Sequence, residues 1–236
     1  MDDLHKDQYQ FTFYDRVTLP LVWVVLGGIS LITIDYRIGR FFSVSELPDE
    51  LEDFVDAAEH FGTPYGQILA LLCLFAATSW RERRVFRIFL GTCAAGMGAN
   101  LVKMFVGRTR PRSFDFEQHE LFDSFVGWFL LDSAGSKAQS FPSAHTASAF
   151  GFAALLTWAF PSGKRVFLLL ACFVGLHRIT TSAHFPSDVF IGAAVGWSVA
   201  ILFTGNTWLA KKFDRLEKQV AKAEDVFEKE VATLQE

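Results

Sequence analysis

Val189-Phe-Ile-Gly-Ala-Ala-Val-Gly-Trp-Ser-Val-Ala-Ile-Leu-Phe-Thr-Gly-Asn-Thr-Trp-Leu-Ala210 runs for 22 residues without a charged side chain. A helical membrane span needs about 20 mostly apolar residues, so this stretch is long enough to cross a bilayer. Five more runs come close to that length. They are Val17 to Ile34, Phe61 to Trp80, Val85 to Val106, Pro142 to Phe160 and Val166 to about Ala183. Small residues recur in them, as in Gly91-Thr-Cys-Ala-Ala-Gly-Met-Gly-Ala and Gly192-Ala-Ala-Val-Gly. Such patches let membrane helices approach closely. The pattern predicts an all-α, polytopic bundle of six transmembrane helices over residues 17–210. Residues 1–16 form a short N-terminal segment and residues 211–236 a C-terminal amphipathic helix. The alternating short segments of an outer-membrane barrel are absent.

Composition agrees. The chain of 236 residues is 51% hydrophobic and 20% charged, against about 25% charged in ordinary soluble domains. Lys211 to Glu236 hold six basic and seven acidic residues, so the remainder is poorer still in charge. A disordered chain, a disulfide-stapled secreted domain and a basic nucleic-acid binder are excluded. Cys73, Cys93 and Cys172 sit in apolar runs without metal-like spacing and read as small buried residues. The start Met-Asp-Asp lacks a basic n-region, so the first apolar run is expected to be kept.

Loop charge gives an orientation. Arg81-Glu-Arg-Arg, Pro161-Ser-Gly-Lys-Arg and Lys211, Lys212 and Arg215 all fall on one side of a six-span bundle. Asp35 to His60, with eight acidic residues against Arg37 and Arg40, falls on the other. The positive-inside rule puts both termini in the cytoplasm. In a bacterium this would be the inner membrane, with the opposite face periplasmic. Leu51, Phe54, Val55 and Ala58 share one helical face and predict a helix lying at that outer interface. Phe213, Leu216, Val220, Ala223 and Phe227 make a heptad-like stripe. It reads as a solvated cytoplasmic helix, with self-association as the alternative.

Ionisable residues in a bilayer cost about 2.5–3.5 kcal/mol each at a helix centre, so their positions are informative. Lys103 ends span three, and Arg108, Arg110 and Arg112 follow it. His145 opens span four. His177 and Arg178 close span five, and His184 and Asp188 precede span six. In an antiparallel layout all of them reach the outer face together. Lys103, Arg110 and Arg178 are fixed cations, and a guanidinium binds oxyanions bidentately. Pro142-Ser143-Ala144-His145 opens a helix whose free N–H groups form an anion site. His184 and Asp188 are four apart, a spacing that can join imidazole and carboxylate. Two histidines facing a cationic pocket point to phosphoryl transfer, one attacking and one moving protons.

These motifs resemble those of the type 2 phosphatidic acid phosphatase (PAP2) family, which is related to the vanadium haloperoxidases. Lys103-Met-Phe-Val-Gly-Arg-Thr-Arg110-Pro111 fits the family's Lys, six residues, Arg-Pro. Pro142-Ser143-Ala144-His145 resembles its Pro-Ser-Gly-His, and His177-Arg178…His184…Asp188 its Ser-Arg, five residues, His, three residues, Asp. The resemblance implies an acid phosphatase and haloperoxidase-like helical fold and a membrane lipid phosphatase, a hydrolase that needs no metal or cofactor. It implies His184 as nucleophile, Asp188 as its orienting partner and His145 as the proton donor and acceptor. It also implies Lys103, Arg110, Ser143, Arg178 and the Ala144 N–H as holders of the phosphoryl oxygens. Two positions depart from the pattern. Ala144 replaces glycine, which is compatible with an early helical residue of negative φ. His177 replaces serine and is given no catalytic role.

Other readings stay open. A lipid phosphotransferase would use the same intermediate. An anion transporter could also use buried cations, although no internal repeat is visible. The motifs fit glycerophospholipid, polyprenyl diphosphate, lipid A and sphingoid phosphates alike. Arg108 and Arg112 read equally as headgroup or loop contacts and as functional residues. The aromatic loop Ser113 to Ser140 reads as packing over the bundle mixed with an interfacial lid. His5, His60 and His119 read as surface residues.

Overall fold

A computed structural model describes residues 8–45, 47–77, 84–129 and 135–233. The basic loop Arg81-Glu-Arg and His5 lie outside these. A π-helical turn, Tyr14–Thr18, leads into α1 (Leu19–Thr33). Then come α2 (Asp35–Val44), α3 (Asp49–Glu59), α4 (Pro64–Ala77) and α5 (Arg84–Lys103). After a long loop the chain forms α6 (Ala144–Ala159), α7 (Lys164–Thr180), α8 (Pro186–Ile201) and α9 (Trp208–Thr233).

At the centre stands α6, packed against α5, α7 and α8, while α1 covers α8. Nearly every α6 side chain from Thr146 to Ala159 is buried, the signature of a helix surrounded by other helices. Small residues permit this. A side chain at Gly196 of α8 would collide with the Ala147 carbonyl of α6, and one at Gly151 of α6 with the Ala95 side chain of α5. Aromatic residues fill the core between the helices, with Trp23 edge-on to both Phe150 and Trp197. The Trp197 indole N–H donates to the Asp15 carbonyl at 2.8 Å.

Each predicted apolar run contains a helix, with altered ends. The sixth run divides at a turn in which Gly205 adopts φ +67°, so Trp208–Ala210 belong to α9. By length and composition, Tyr14–Thr33 and Arg84–Lys103 qualify as spans among the described residues. Asp49–Gly62 and Pro64–Ala77, bent by 73°, add a third if counted as one broken span. At 16 residues, α6 and α8 are about 24 Å long, short of the roughly 30 Å hydrocarbon core. Six spans therefore remain an expectation.

Four readings are corrected. The fold is not purely helical, because β1 (Val106–Arg108) pairs antiparallel with β2 (Phe125–Trp128) inside the aromatic loop. The three cysteines are exposed rather than buried. The acidic stretch after α1 is helical from its first residue, because Asp35 and Gly39 of α2 are buried. Finally, the start of α9 is docked. Arg87 of α5, 1% exposed, donates to the Phe203 carbonyl at 2.6 Å and to Asp214 at 2.7 Å. It also lies 3.5 Å from Glu217 and over the Trp158 ring. Burial raises the pKa of Glu217, with the Asp214 charge adding to it and Arg87 opposing. Further along, Leu216, Val220 and Phe227 are exposed.

The helix predicted around Leu51 to Ala58 is present as α3, with Val55 and Ala58 buried and Phe54 edge-on to Phe173 of α7. In the aromatic loop Phe116 is buried, whereas Phe122, Trp128 and Phe129 are exposed. His60 and His119 are exposed, as expected.

Candidate active site

The site is built where α5, α6, α7 and α8 present their ends. Ser143 caps α6, its hydroxyl accepting from the Thr146 N–H at 3.4 Å and the Thr146 hydroxyl at 2.8 Å. Ala144 and His145 are therefore the first two helical residues, whose N–H groups have no partner within the helix. The Ser143 N–H donates to the Asp188 carbonyl at 3.0 Å, which ties α6 to α8. On the other side, the N–H groups of Ala183 and His184 both donate to the Arg178 carbonyl, at 3.2 and 3.0 Å. The turn after α7 folds back through Ser182, at φ +51°, and sets His184 beside Arg178.

His184 is 2% exposed. Its Nδ1 lies 2.6 Å from the Ser140 carbonyl oxygen. A carbonyl only accepts, so Nδ1 carries the proton and Nε2 keeps its lone pair. Burial pushes the ring pKa down to about 3, with the charges of Lys103 and Arg110 acting in the same direction and Asp188 opposing. Lys103, Arg110 and His184 thus lie within electrostatic reach of one another. Burial also lowers the pKa of Arg110, helped by the charges of Arg112 and Arg178.

Asp188 does not hydrogen-bond to His184 directly. The two are 3.7 Å apart, because His184 precedes α8 and does not share a helical turn with Asp188. Asp188 sits instead in the first turn of α8, where Oδ2 accepts from the Phe185 N–H at 2.9 Å and the Ser140 hydroxyl at 2.6 Å. Its Oδ1 accepts from Arg108 at 2.6 Å. Asp188 therefore bears on His184 through Ser140, whose hydroxyl it binds and whose carbonyl holds the ring.

Arg108 is fully buried and is not a headgroup contact. It bridges Asp188 and Asp35, the latter at 2.9 Å, and donates to Ser187 at 2.8 Å and Ser124 at 3.2 Å. Its guanidinium lies over the Phe185 and Phe125 rings, 4.0 and 4.6 Å from their centroids. Asp35 in turn accepts from the Ser187 N–H and Ser30 hydroxyl, each at 2.9 Å. Arg112, by contrast, is exposed.

The remaining cations line the opening. Lys103 donates to the Gln139 carbonyl at 2.9 Å. Arg178 donates from Nη1 to Glu59 of α3 at 2.6 Å, while its buried Nε has no hydrogen-bond partner. His145, with 38% of its side chain exposed, stands 4.0 Å from the same Glu59 oxygen. His177 is held by Asp56 at 3.1 Å. The sequence reading missed Ser140, Ser124, Ser187, Asp35 and Glu59. Of these, only Asp35 carried a signal, as the charge that ends the first apolar run.

A PAP2 superfamily model matches residues 84–212, more than half of the chain. The chain belongs to the PAP2 superfamily. It is 34% identical over 109 residues to a lipid A 1-phosphatase of Rhizobium johnstonii, covering 46% of this chain and 42% of that one. It is 26% identical over 216 residues to probable lipid phosphate phosphatase 4 of Arabidopsis thaliana, covering 75% of this chain and 69% of that one. The chain spans about half the length of the lipid A 1-phosphatases of Rhizobium that it matches. Among solved structures, Aquifex aeolicus LpxE superposes with a TM-score of 0.55 at 26% identity, over 72% of this chain and 94% of that chain. The transmembrane PAP2 type phosphatidylglycerolphosphate phosphatase of Bacillus subtilis gives 0.54 at 19%, over 86% and 97%, and shares the fold. Its apolar helices and its fold make the PAP2 chain an integral membrane protein.

Proposed function

We propose that this PAP2 protein is a lipid phosphate phosphatase that works through a phosphohistidine on His184. One observation carries the reading. The Ser140 carbonyl holds the proton of His184 on Nδ1, so Nε2 is a free nucleophile beside a cluster of cations. In the first step Nε2 attacks phosphorus, the bond to the lipid oxygen breaks, and His145 gives that oxygen a proton. In the second step water attacks phosphorus and gives its proton to His145. The P–N bond then breaks, orthophosphate leaves, and His184 regains its lone pair. Lys103, Arg110, Arg178, Ser143 and the N-terminal N–H of Ala144 hold the phosphoryl oxygens, whose charge such transfers must stabilise. Asp188 keeps Ser140 in place.

The lipid reading rests on what lies next to His145. A cavity of about 420 Å³ extends from this ring between α4, α5 and α6, lined by Leu71, Phe89, Cys93, Gly96 and Met97. Phosphate chemistry at the mouth of an apolar groove suits an amphiphilic substrate. Lipid A 1-phosphate and other lipid phosphates named for its relatives are the first to test. The basic loops favour a site on the outer, periplasmic face of an inner membrane, with both termini cytoplasmic.

The test is phosphate release by purified wild-type and His184→Ala protein, with ³²P-labelled lipid phosphate used to trap the intermediate. Wild type should yield an acid-labile, base-stable phosphoprotein, and His184→Ala neither label nor phosphate. Phosphate release by His184→Ala at the wild-type rate would refute the mechanism.

A further inference from the structure

Glu59 is the last residue of α3, and its Oε1 faces three basic side chains. Arg178 Nη1 is 2.6 Å away, His177 Nδ1 3.7 Å and His145 Nε2 4.0 Å. Two of these belong to the phosphate machinery proposed above. A carboxylate from the end of α3 thus sits on the guanidinium that the phosphoryl group requires. Both anions accept from the same fork of donors, so they compete for it. The unpartnered, buried Nε of Arg178 shows that Glu59 alone does not satisfy this side chain.

The backbone carrying Glu59 is closely packed. Val55 and Ala58 are buried, and Phe54 packs on Phe173. Just beyond, a side chain at Gly62 would come within 2.6 Å of Val174 and 3.0 Å of the His145 carbonyl. The helix is lodged against α7 and the turn that follows it against α6 and α7, while the Glu59 side chain stays partly exposed.

We propose that Glu59 is a positioning residue that holds Arg178 while the pocket is empty and passes it to the phosphoryl group on binding. The proposal rests on the phosphohistidine reading. After the exchange the carboxylate faces His145 and His177 and favours the protonated His145 that serves the leaving oxygen. The other groups facing His145 are Lys103 from α5 and His177 and Arg178 from α7, and all three are basic. On the α8 side, Asp188 is already matched by Arg108, and His60 of the turn after α3 packs edge-on to Tyr65. Glu59 is therefore the carboxylate, among the described residues, placed to offset these cations at His145.

The test uses full-length protein in detergent, with orthovanadate as the probe. Calorimetry gives its affinity, and lipid phosphate hydrolysis gives kcat, KM and their pH profile. Glu59→Gln should bind orthovanadate about tenfold more tightly, while kcat falls and the alkaline limb of kcat moves to lower pH. Glu59→Asp should lie between wild type and Glu59→Gln in both respects. It also serves as the folded variant if Glu59→Gln does not purify. Asp56→Asn, which removes an equal charge from His177, should leave orthovanadate affinity unchanged. A merely structural Glu59 predicts weaker binding on substitution. Unchanged or weaker orthovanadate binding by Glu59→Gln, with an active wild type, overturns this inference alone. A wild type that hydrolyses no lipid phosphate overturns the reading beneath it, and the inference with it.

Discussion

Arg108 bridges two carboxylates far apart in sequence, Asp35 and Asp188, in a place without exposure. Removing one member of such a buried ion cluster strands the others. Arg108→Met should therefore cost about 3–5 kcal/mol, read as a lowered thermal midpoint in detergent, and should reduce phosphate release at least as severely. Arg108→Lys keeps one charge but loses the planar fork, so it should lie between the two. At His184 the consequence concerns pH. Its folded pKa of about 3 lies below the ordinary 6.5, so the unfolded chain binds the proton first. The ring's contribution to stability is full above pH 6.5 and is lost as pH falls toward 3. In spectra of ¹⁵N-histidine protein the His184 ring should remain neutral from pH 7.5 to 5, and a midpoint near 6.5 would contradict the burial argument. The residues bearing charge were legible in sequence because a bilayer makes each one costly. Ser140 was not, since its part is played by a backbone carbonyl, which every residue has. Glu59 was hidden among the other acids of α3.

Among the elements, α6 decides the packing. Its neighbours approach so closely that α8 must present glycine at position 196. Gly196→Leu should destabilise the bundle by at least the upper part of about 1–3 kcal/mol, seen as loss of the monodisperse folded fraction. Gly28→Leu, where no atom lies within 4 Å of an added Cβ, should be tolerated. The small-residue patches make this close packing legible in the sequence. The ends of the helices were less legible. Apolar content continues past Ile201 to Ala210, but Gly205 turns the chain, and hydropathy does not register a turn. In α2 the charges suggested a loop, although the buried Asp35 and Gly39 fall on one face of a helix.

For the whole molecule, a low charge content sorted the chain into the membrane class and left few ionisable groups to interpret. The three motifs, separate in sequence, meet because antiparallel helices alternate their ends, which is a property of topology. The link between α5 and α9 was less legible, since Arg87 reads only as a charge near the start of the third apolar run and its partners Asp214 and Glu217 as ordinary tail charges. A chain ending at residue 210 should lose both carboxylates and show a lower thermal midpoint than the full chain, with Asp214→Asn combined with Glu217→Gln reproducing most of the loss.

Every hydrogen bond described for the Arg87 side chain runs to Phe203 or beyond. During synthesis α5 is therefore made more than a hundred residues before its counter-charges leave the ribosome. The newborn chain must shelter a guanidinium at the end of α5, with water as its companion, until α9 arrives. The final helix then acts as a latch, and a chain stopped short of it leaves the Arg87 guanidinium without its carboxylates.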